Sequence, residues 1–157
     1  MQQDQHFMRM AIDLATANVR ESSGGPFGAV VVKDGQVVAT GINQVTATND
    51  PTAHAEVTAI RNACKALGSF ELKGCTLYSS CEPCPMCLAA ILWARVDRLY
   101  FGNTAQDAAA AGFDDSFFYE QVRLPVHQRQ LPTVNILRED AIESFDAWRE
   151  CVTRIDY

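Results

Sequence analysis

The sequence predicts an α/β fold in which helices cover both faces of a central sheet. Candidate strands alternate along the chain with candidate helices, which is the order typical of such a layered fold. One candidate strand, residues 27–32, is apolar throughout and ends in three consecutive valines. Uninterrupted apolar runs of this kind are typical of strands buried on both faces. A chain of 157 residues is long enough to form a single domain with its own core.

Ten candidate elements follow from the spacing of apolar residues and from the residues that end each run. The candidate helices are residues 4–20, 53–67, 83–95, 104–111 and 140–154. The candidate strands are residues 27–32, 36–40, 75–80, 97–102 and 131–137.

The first quarter of the chain contains signals for one helix and for a pair of strands. Phe7, Met10 and Leu14 recur at helical spacing and predict one buried stripe on the first helix, with Ala11 and Val19 as further candidates. The pair Asp34-Gly35 is a hairpin signal between the first two strands. These two strands are therefore expected to be antiparallel neighbours.

Capping residues set the expected ends of the later helices. Thr52 is the expected cap of the second helix, and Gly68 ends it. Pro83 is expected at the start of the third helix, where its missing N–H is not needed. Gly112 closes the short alanine-rich helix, and residues 113–119 are expected to form a loop or a single turn.

Composition narrows the possible functions. Apolar residues make up 48% of the chain and charged residues 20%, which is ordinary globular composition. The net charge of −6, with only 13 scattered Lys and Arg, argues against a polynucleotide substrate. There is no apolar run of membrane-spanning length and no basic, apolar export signal at the start. The sequence therefore predicts a cytoplasmic protein, in which clustered cysteines indicate metal binding.

The strongest functional signal combines two short motifs. His54 and Glu56 form an H-x-E motif, and Cys84 and Cys87 follow in a P-C-x-x-C motif. One imidazole and two thiolates suit a zinc ion that keeps a fourth position open for water. A carboxylate beside them suits a proton carrier, and the combined pattern is the signature of zinc-dependent nucleobase deaminases.

The spacing within these motifs places the groups at helix starts. His54 and Glu56 would point about 200° apart in a regular helix, so they can share one cavity only in a loose first turn. Cys84 and Cys87 fall on one face of a first turn, where the helix dipole stabilises thiolates. The alternative is a structural zinc site with Glu56 in solvent, which would need a fourth ligand. Cys81 is the obvious candidate, but a buried cysteine at a strand end is the favoured interpretation.

Several longer stretches resemble a known family. Residues 24–31 and Asn43, together with the two motifs, resemble the cytidine deaminase-like superfamily. Residues 49–60, residues 112–117 and the terminal Tyr157 are more narrowly similar to the bacterial guanine deaminases. The resemblance runs over nearly the whole chain. It implies a three-layer α/β/α fold with a central mixed five-stranded sheet and one Zn²⁺ per subunit.

The resemblance also implies roles for individual residues. His54, Cys84 and Cys87 would hold the zinc ion, and Glu56 would carry the proton. The substrate-binding positions would be Asn43, Ala55, Phe27, Trp93, Asp114, Asp115 and Tyr157.

These substrate roles have a common physical logic. Guanine has apolar faces, which Phe27 and Trp93 would wall, and a polar edge. A carboxylate can accept two hydrogens from the adjacent N1–H and 2-amino groups, and Asp115 is favoured over Asp114 for this role. Asn43 would hydrogen-bond the purine, and the backbone N–H of Ala55 would hold a carbonyl or ring acceptor. Without the resemblance, the aromatic residues would be assigned to the core and the two acids to a solvated turn or helix cap.

The leading functional hypothesis is hydrolytic deamination of guanine to xanthine and ammonia by zinc-activated water, with Asp115 assisting Glu56 at the site. Guanosine deaminase is the nearest alternative, because the sequence does not define the space near N9. Deamination of adenosine in transfer RNA shares the core motif but would favour a basic strand-binding surface, and cytosine deamination is a weaker fourth alternative. A non-catalytic, zinc-stabilised binding module is the alternative from another class.

The end of the chain predicts a partner. Phe145, Trp148 and Val152 share one helix face that must pack on something. Proline at positions 125 and 132 makes the connection before it stiff and extended. We therefore expect one domain, residues 1–157, that forms a homodimer by exchange of a segment from about 131 to 157. Tyr157 would then complete the partner's site. Packing of the helix on its own chain is the alternative.

Overall fold

The computed structural model describes residues 2–157. The chain divides into two compact units, a first that extends to Phe118 and a second of Tyr119–Tyr157. No helix within the described residues is both long and apolar enough to cross a membrane.

A mixed four-stranded sheet forms the centre of the first unit. Its strands are β1 (Gly28–Lys33), β2 (Gln36–Ile42), β3 (Cys75–Cys81) and β4 (Arg98–Asn103), in the spatial order β2-β1-β3-β4. Strand β1 is antiparallel to both β2 and β3, whereas β3 and β4 are parallel. The parallel pair matters for function because the carboxyl ends of such strands, and the loops after them, are where ligands bind in α/β folds.

Six helices begin in the first unit. They are α1 (Gln2–Arg20), α2 (Val45–Thr48), α3 (Ala55–Leu67), α4 (Pro85–Trp93), α5 (Ala105–Ala110) and α6 (Ser116–Arg123), the last of which continues into the second unit.

Two apolar clusters show that the sheet is covered on both faces. Val30 and Val32 pack with Phe7 of α1, whereas Ala29 and Val31 pack with residues of α3 and α4. Successive residues of a strand point to opposite faces, so the uninterrupted apolar run serves two cores at once. The predicted three-layer α/β/α fold is confirmed.

The predicted fifth strand is wrong. Residues 131–137 form no strand, and no described strand pairs with them. Leu131, Val134 and Ile136 are each at least 74% exposed. The apolar residues of this segment favour a strand, but a strand also needs a neighbour to satisfy its backbone groups. The second unit instead contains a short 3-10 turn (Val126–Gln128) and two helices, α7 (Arg138–Ala141) and α8 (Glu143–Glu150), in place of the single final helix that was predicted.

Two predicted helix starts are displaced by two residues. Helix α3 begins after His54, and the Thr52 hydroxyl donates to Asp50 Oδ1 at 2.6 Å instead of capping the helix. Helix α4 begins at Pro85, and Cys84 before it has an extended backbone. A proline is the first helical residue, as its missing N–H favours, but this proline is Pro85 and not the predicted Pro83.

Two further details differ from the sequence prediction. Val19 is 48% exposed. The buried stripe of α1 includes Phe7 and Ala11, as predicted, and continues through Ala15 and Asn18, which were not predicted. Residues 116–123 form helix α6 where a loop or single turn was expected. Asp114 accepts a hydrogen bond from Ser116 N at 2.9 Å, which satisfies one backbone donor at the start of that helix.

Candidate functional site

Two helix starts bring the three expected metal ligands together. His54 and Cys84 are the residues before α3 and α4, both with extended backbone, and Cys87 lies in the first turn of α4. His54 Nδ1 is 3.6 Å from Cys84 Sγ and 3.4 Å from Cys87 Sγ. All three donor atoms lie within 4.8 Å of one another.

This geometry fits a tetrahedral zinc ion. Zn–S bonds of about 2.3 Å and Zn–N bonds of about 2.0–2.1 Å, at the tetrahedral angle, separate sulfur and nitrogen by about 3.5 Å. The two measured separations match that value closely. No fourth His, Cys, Asp or Glu of the described chain joins the group. Three protein donors leave the fourth tetrahedral position for water or substrate, as catalytic zinc sites require.

The two thiols of the metal group have opposite pKa shifts. The Cys87 side chain donates a hydrogen bond to Cys84, which lowers the pKa of Cys84 to about 4 against the opposing effect of burial. The same contact, together with burial, raises the pKa of Cys87. A site that already contains one thiolate beside an imidazole is prepared for a divalent cation.

Glu56 is a buried carboxyl directly behind the metal ligands. It is the second residue of α3 and only 5% exposed. Burial raises its pKa above the ordinary range of a glutamate. The hydroxyl of Ser79 donates to Glu56 Oε1 at 3.1 Å. Ser79 was not identified from the sequence, because nothing in a strand pattern marks which hydroxyl will face a carboxyl.

His54, Glu56 and Cys84 line a cavity of about 560 Å³. Phe27 and Phe113 form part of its wall and contact each other edge to face, with ring centroids 4.9 Å apart. The structure does not bring Trp93 to this wall. Trp93 lies at the end of α4, well over one turn beyond Cys87, and is 62% exposed. Phe113, which the sequence analysis did not single out, lies in the cavity wall beside Phe27.

The two neighbouring aspartates lie in different environments. Asp115 lines the cavity, and its half-buried position raises the pKa of its carboxyl. Asp114 is exposed, and its hydrogen bond from the backbone of Ser116 lowers its pKa. Only Asp115 is placed to meet a ligand in the cavity.

Asn43 presents a defined end of its amide to the cavity. Its Oδ1 accepts from Gly25 N at 3.4 Å and from Val45 N at 3.3 Å. With the oxygen held by two backbone donors, the Nδ2 end remains as a donor for a ligand. Ala55 begins helix α3, so its backbone N–H belongs to the first turn and has no acceptor within the helix.

Cys81 and Glu82 lie beside the metal ligands but have other partners. Cys81 is buried at the end of β3, its Sγ donates to Thr104 O at 3.8 Å, and burial raises its pKa to about 11. Glu82 Oε2 accepts from Ala105 N at 3.0 Å, at the start of α5. The arrangement of Cys81 agrees with the structural role that the sequence favoured for it.

Tyr157, the last predicted substrate contact, belongs to the second unit. There its ring lies 6.4 Å from the ring of Trp148, and the side chain is 73% exposed.

Comparison with known proteins identifies a zinc-binding family over the first part of the chain. Residues 1–103 match the family described as the cytidine and deoxycytidylate deaminase zinc-binding region. All three residues of the metal group fall within this match. A tRNA-specific adenosine deaminase of Agrobacterium fabrum is 49% identical over 102 residues, which are 65% of this chain and 65% of that protein.

Guanine deaminases match over more of the chain. That of Bacillus subtilis is 50% identical over 151 residues, which are 96% of this chain and 97% of that protein. Its X-ray structure aligns with a TM-score of 0.95 over 98% of both chains. A guanine deaminase structure from Nitrosomonas europaea is 33% identical, with a TM-score of 0.66 over 70% of this chain and 64% of that one.

Proposed function

We propose that this chain, which belongs to the family described as the cytidine and deoxycytidylate deaminase zinc-binding region, is a guanine deaminase. It hydrolyses the C2–N bond of guanine, a cyclic amidine, to give xanthine and ammonia. The observation that carries this conclusion is the placement of Asp115 in the same aromatic-walled cavity as His54, Cys84 and Glu56. The match to guanine deaminase over nearly the whole chain supports the same substrate.

The polar groups of the cavity complement guanine. The base presents adjacent donors, N1–H and the 2-amino group, on one edge and acceptors elsewhere. Asp115 offers an acceptor-only carboxylate for the donor edge, and bidentate contacts of this kind are strong. Asn43 offers its Nδ2 donor to an acceptor of the ring, because its oxygen is already held by backbone N–H groups. Phe27 and Phe113 wall the ring, and the Ala55 N–H is a further donor.

The chain's own residues carry the proton transfers. A zinc ion would be held by His54, Cys84 and Cys87 and would acidify water, which supplies a nucleophile at neutral pH. Glu56 accepts one proton from the attacking water and delivers it to the ring nitrogen beside C2. As the C2–N bond breaks, the hydroxyl on C2 releases the second proton of that water, and Glu56 passes it to the leaving amine, which departs as ammonia. The hydroxyl of Ser79 donates to one oxygen of this carboxyl and so helps to hold its orientation.

Deamination of transfer RNA is a second candidate, favoured by the match to the Agrobacterium fabrum protein. That match covers only 65% of the chain. The net charge of −6 is unfavourable for binding a polyanion. Deamination of guanosine is the other alternative. The cavity of about 560 Å³ is within the usual size range of small-molecule sites, and such sites can hold a ligand larger than a single base.

The second unit supports a dimer with exchanged segments. Phe145, Val152 and Ile155 are each at least 61% exposed, so α8 and the residues after it present exposed apolar side chains. Contiguous exposed apolar surface of this kind marks an interaction site. In the proposed homodimer the segment from about residue 131 packs on the partner, and Tyr157 completes the partner's cavity.

We place this metabolic enzyme in the cytoplasm.

A panel of substrates tests the function. The purified, zinc-loaded chain is offered guanine, guanosine, adenosine, cytosine and a transfer-RNA anticodon stem-loop, and ammonia release is measured. Guanine should be the preferred substrate by kcat/KM. If ammonia were released only from guanosine, or only from the stem-loop, the assignment would be overturned. If no substrate released ammonia, a zinc-stabilised binding module would be favoured.

A further inference from the structure

Asn18 is a polar side chain in the apolar core of α1. It lies on the same stripe as Phe7, Ala11 and Ala15 and is only 2% exposed. Burying an amide is unfavourable unless its polar atoms find partners. The position therefore needs an explanation in terms of what the amide contacts.

The amide nitrogen of Asn18 joins two segments that border the cavity. Its Nδ2 donates to Gly25 O at 2.8 Å, just before β1, and to Asn43 O at 2.9 Å, just after β2. Gly25 N in turn donates to Asn43 Oδ1 at 3.4 Å. The three residues therefore form a closed ring of hydrogen bonds, which we call the Asn18 ring.

The oxygen of the same amide has no partner among the described residues. Asn18 Oδ1 is buried and accepts no hydrogen bond. Rotating the amide by half a turn would place this oxygen against two carbonyl oxygens, so the orientation with Nδ2 as double donor is the favourable one. A buried acceptor left unpaired reduces stability. The two hydrogen bonds that Asn18 donates therefore explain an amide at this buried position, whereas its unpaired oxygen is unfavourable there.

The backbone around the ring leaves no space for a side chain at residue 24. A Cβ atom added to Gly24 would lie 2.3 Å from Asn43 O and 2.9 Å from Asn18 Nδ2. The glycine lets the loop approach Asn43 closely enough for Asn18 to bridge both segments.

From this geometry we propose that Asn18 is a positioning residue for substrate recognition, acting through Asn43. It holds the Asn43 backbone so that Oδ1 faces the N–H groups of Gly25 and Val45 and Nδ2 faces the cavity. Asn18 itself does not line the cavity. The proposal rests on the proposed function in one respect, that Asn43 contacts the base.

The first test replaces the amide by an apolar side chain of similar size. Asn18→Leu should keep zinc but raise KM for guanine about five- to thirtyfold, with kcat changed about threefold or less, because Asn43 loses its fixed orientation. The control is Asn62→Leu. Asn62 also donates from Nδ2 to a backbone carbonyl, Thr40 O at 2.9 Å, but lies outside the cavity. Asn62→Leu should leave KM unchanged, and an equal rise in both variants would overturn the proposal.

A double-mutant cycle separates positioning from a merely structural role. Asn43→Ala and Asn18→Leu should combine to no greater loss in kcat/KM than Asn43→Ala alone, since Asn18 acts only through Asn43. Fully additive losses would overturn the proposal, as would a lowered melting temperature with unchanged KM. If Asn18→Leu gives no folded protein, Asn18→Ser is measured by the same criteria, because it keeps one donor and adds no bulk.

A structural readout keeps this test independent of the substrate. In a crystal structure of Asn18→Leu, the hydrogen bond from Gly25 N to Asn43 Oδ1 should be lost and the Asn43 amide should turn or shift. An Asn43 side chain in its original position would overturn the proposal even if guanine proved to be the wrong base. The kinetic comparison is made on whichever base the unmodified chain deaminates, so failure of the guanine assignment shows itself separately.

Discussion

Asp114 and Asp115 are adjacent carboxylates with opposite surroundings. Asp115 faces the cavity and Asp114 binds the backbone at the start of α6. We expect Asp115→Asn to lower kcat/KM for guanine about tenfold to a hundredfold, because the amide must present a donor to a donor edge of the base. Zinc content should not change.

Asp114→Asn is the matched control, since an asparagine can keep the hydrogen bond to Ser116 N. Its kcat/KM should stay within about twofold of the unmodified chain. If only Asp114→Asn were impaired, the roles of the two residues would be reversed. If neither variant were impaired, the assignment of guanine itself would be wrong.

At the residue scale, the predictable part of the site is the part that sequence spacing determines. His54, Cys84 and Cys87 each lie at a helix start, and short spacings within one helical turn determine which side chains can meet. Phe113 and Ser79 reach the site through the packing of distant strands and loops, which no local spacing encodes. Asn18 did leave a signal, because it is a polar residue on the apolar stripe of α1.

At the element scale, the starts of α3 and α4 form the metal site. We expect Cys84→Ala and Cys87→Ala each to lose zinc and activity together, because two protein ligands hold the ion too weakly. Metal analysis of the purified variants, alongside ammonia release, measures both effects.

Cys81→Ala is the control, because Cys81 lies three residues before Cys84. Its thiol contacts Thr104 O instead of the metal group. The variant should keep zinc and activity and lose only about 1 kcal/mol of folding free energy, a common cost of a point substitution. Release of zinc from this variant would mean that the site has a fourth protein ligand.

The elements of the first unit were largely predictable, whereas those of the second were not. Strands β1 to β4 carry strong apolar runs with turn residues at their ends, and all four formed close to the expected bounds. The segment of residues 131–137 is also rich in apolar residues but forms no strand. Strand formation depends on a neighbouring edge, and the local sequence carries no information about whether one is available.

At the scale of the whole molecule, the exposed apolar side chains of the second unit predict an assembly completed between chains. A Glu56→Gln chain and a chain truncated before Tyr157 should each have low activity. When the two are unfolded and refolded together, activity should recover. In a hybrid with exchanged segments, one site carries both defects and the other carries neither.

Each variant refolded alone is the control and should stay inactive. If the segment packed on its own chain, both sites of a hybrid would carry one defect and no activity would return. A monomer in solution at working concentration would equally contradict the exchange.

The most direct test of the central claim is xanthine formation from guanine by the unmodified chain and by Glu56→Gln, each loaded with one zinc ion. The account predicts steady xanthine production by the unmodified chain. It predicts a rate about a hundredfold to ten-thousandfold lower in the variant, the usual loss when a general acid–base group is removed. Near-equal rates in the two proteins, or no xanthine from the unmodified chain, would contradict it.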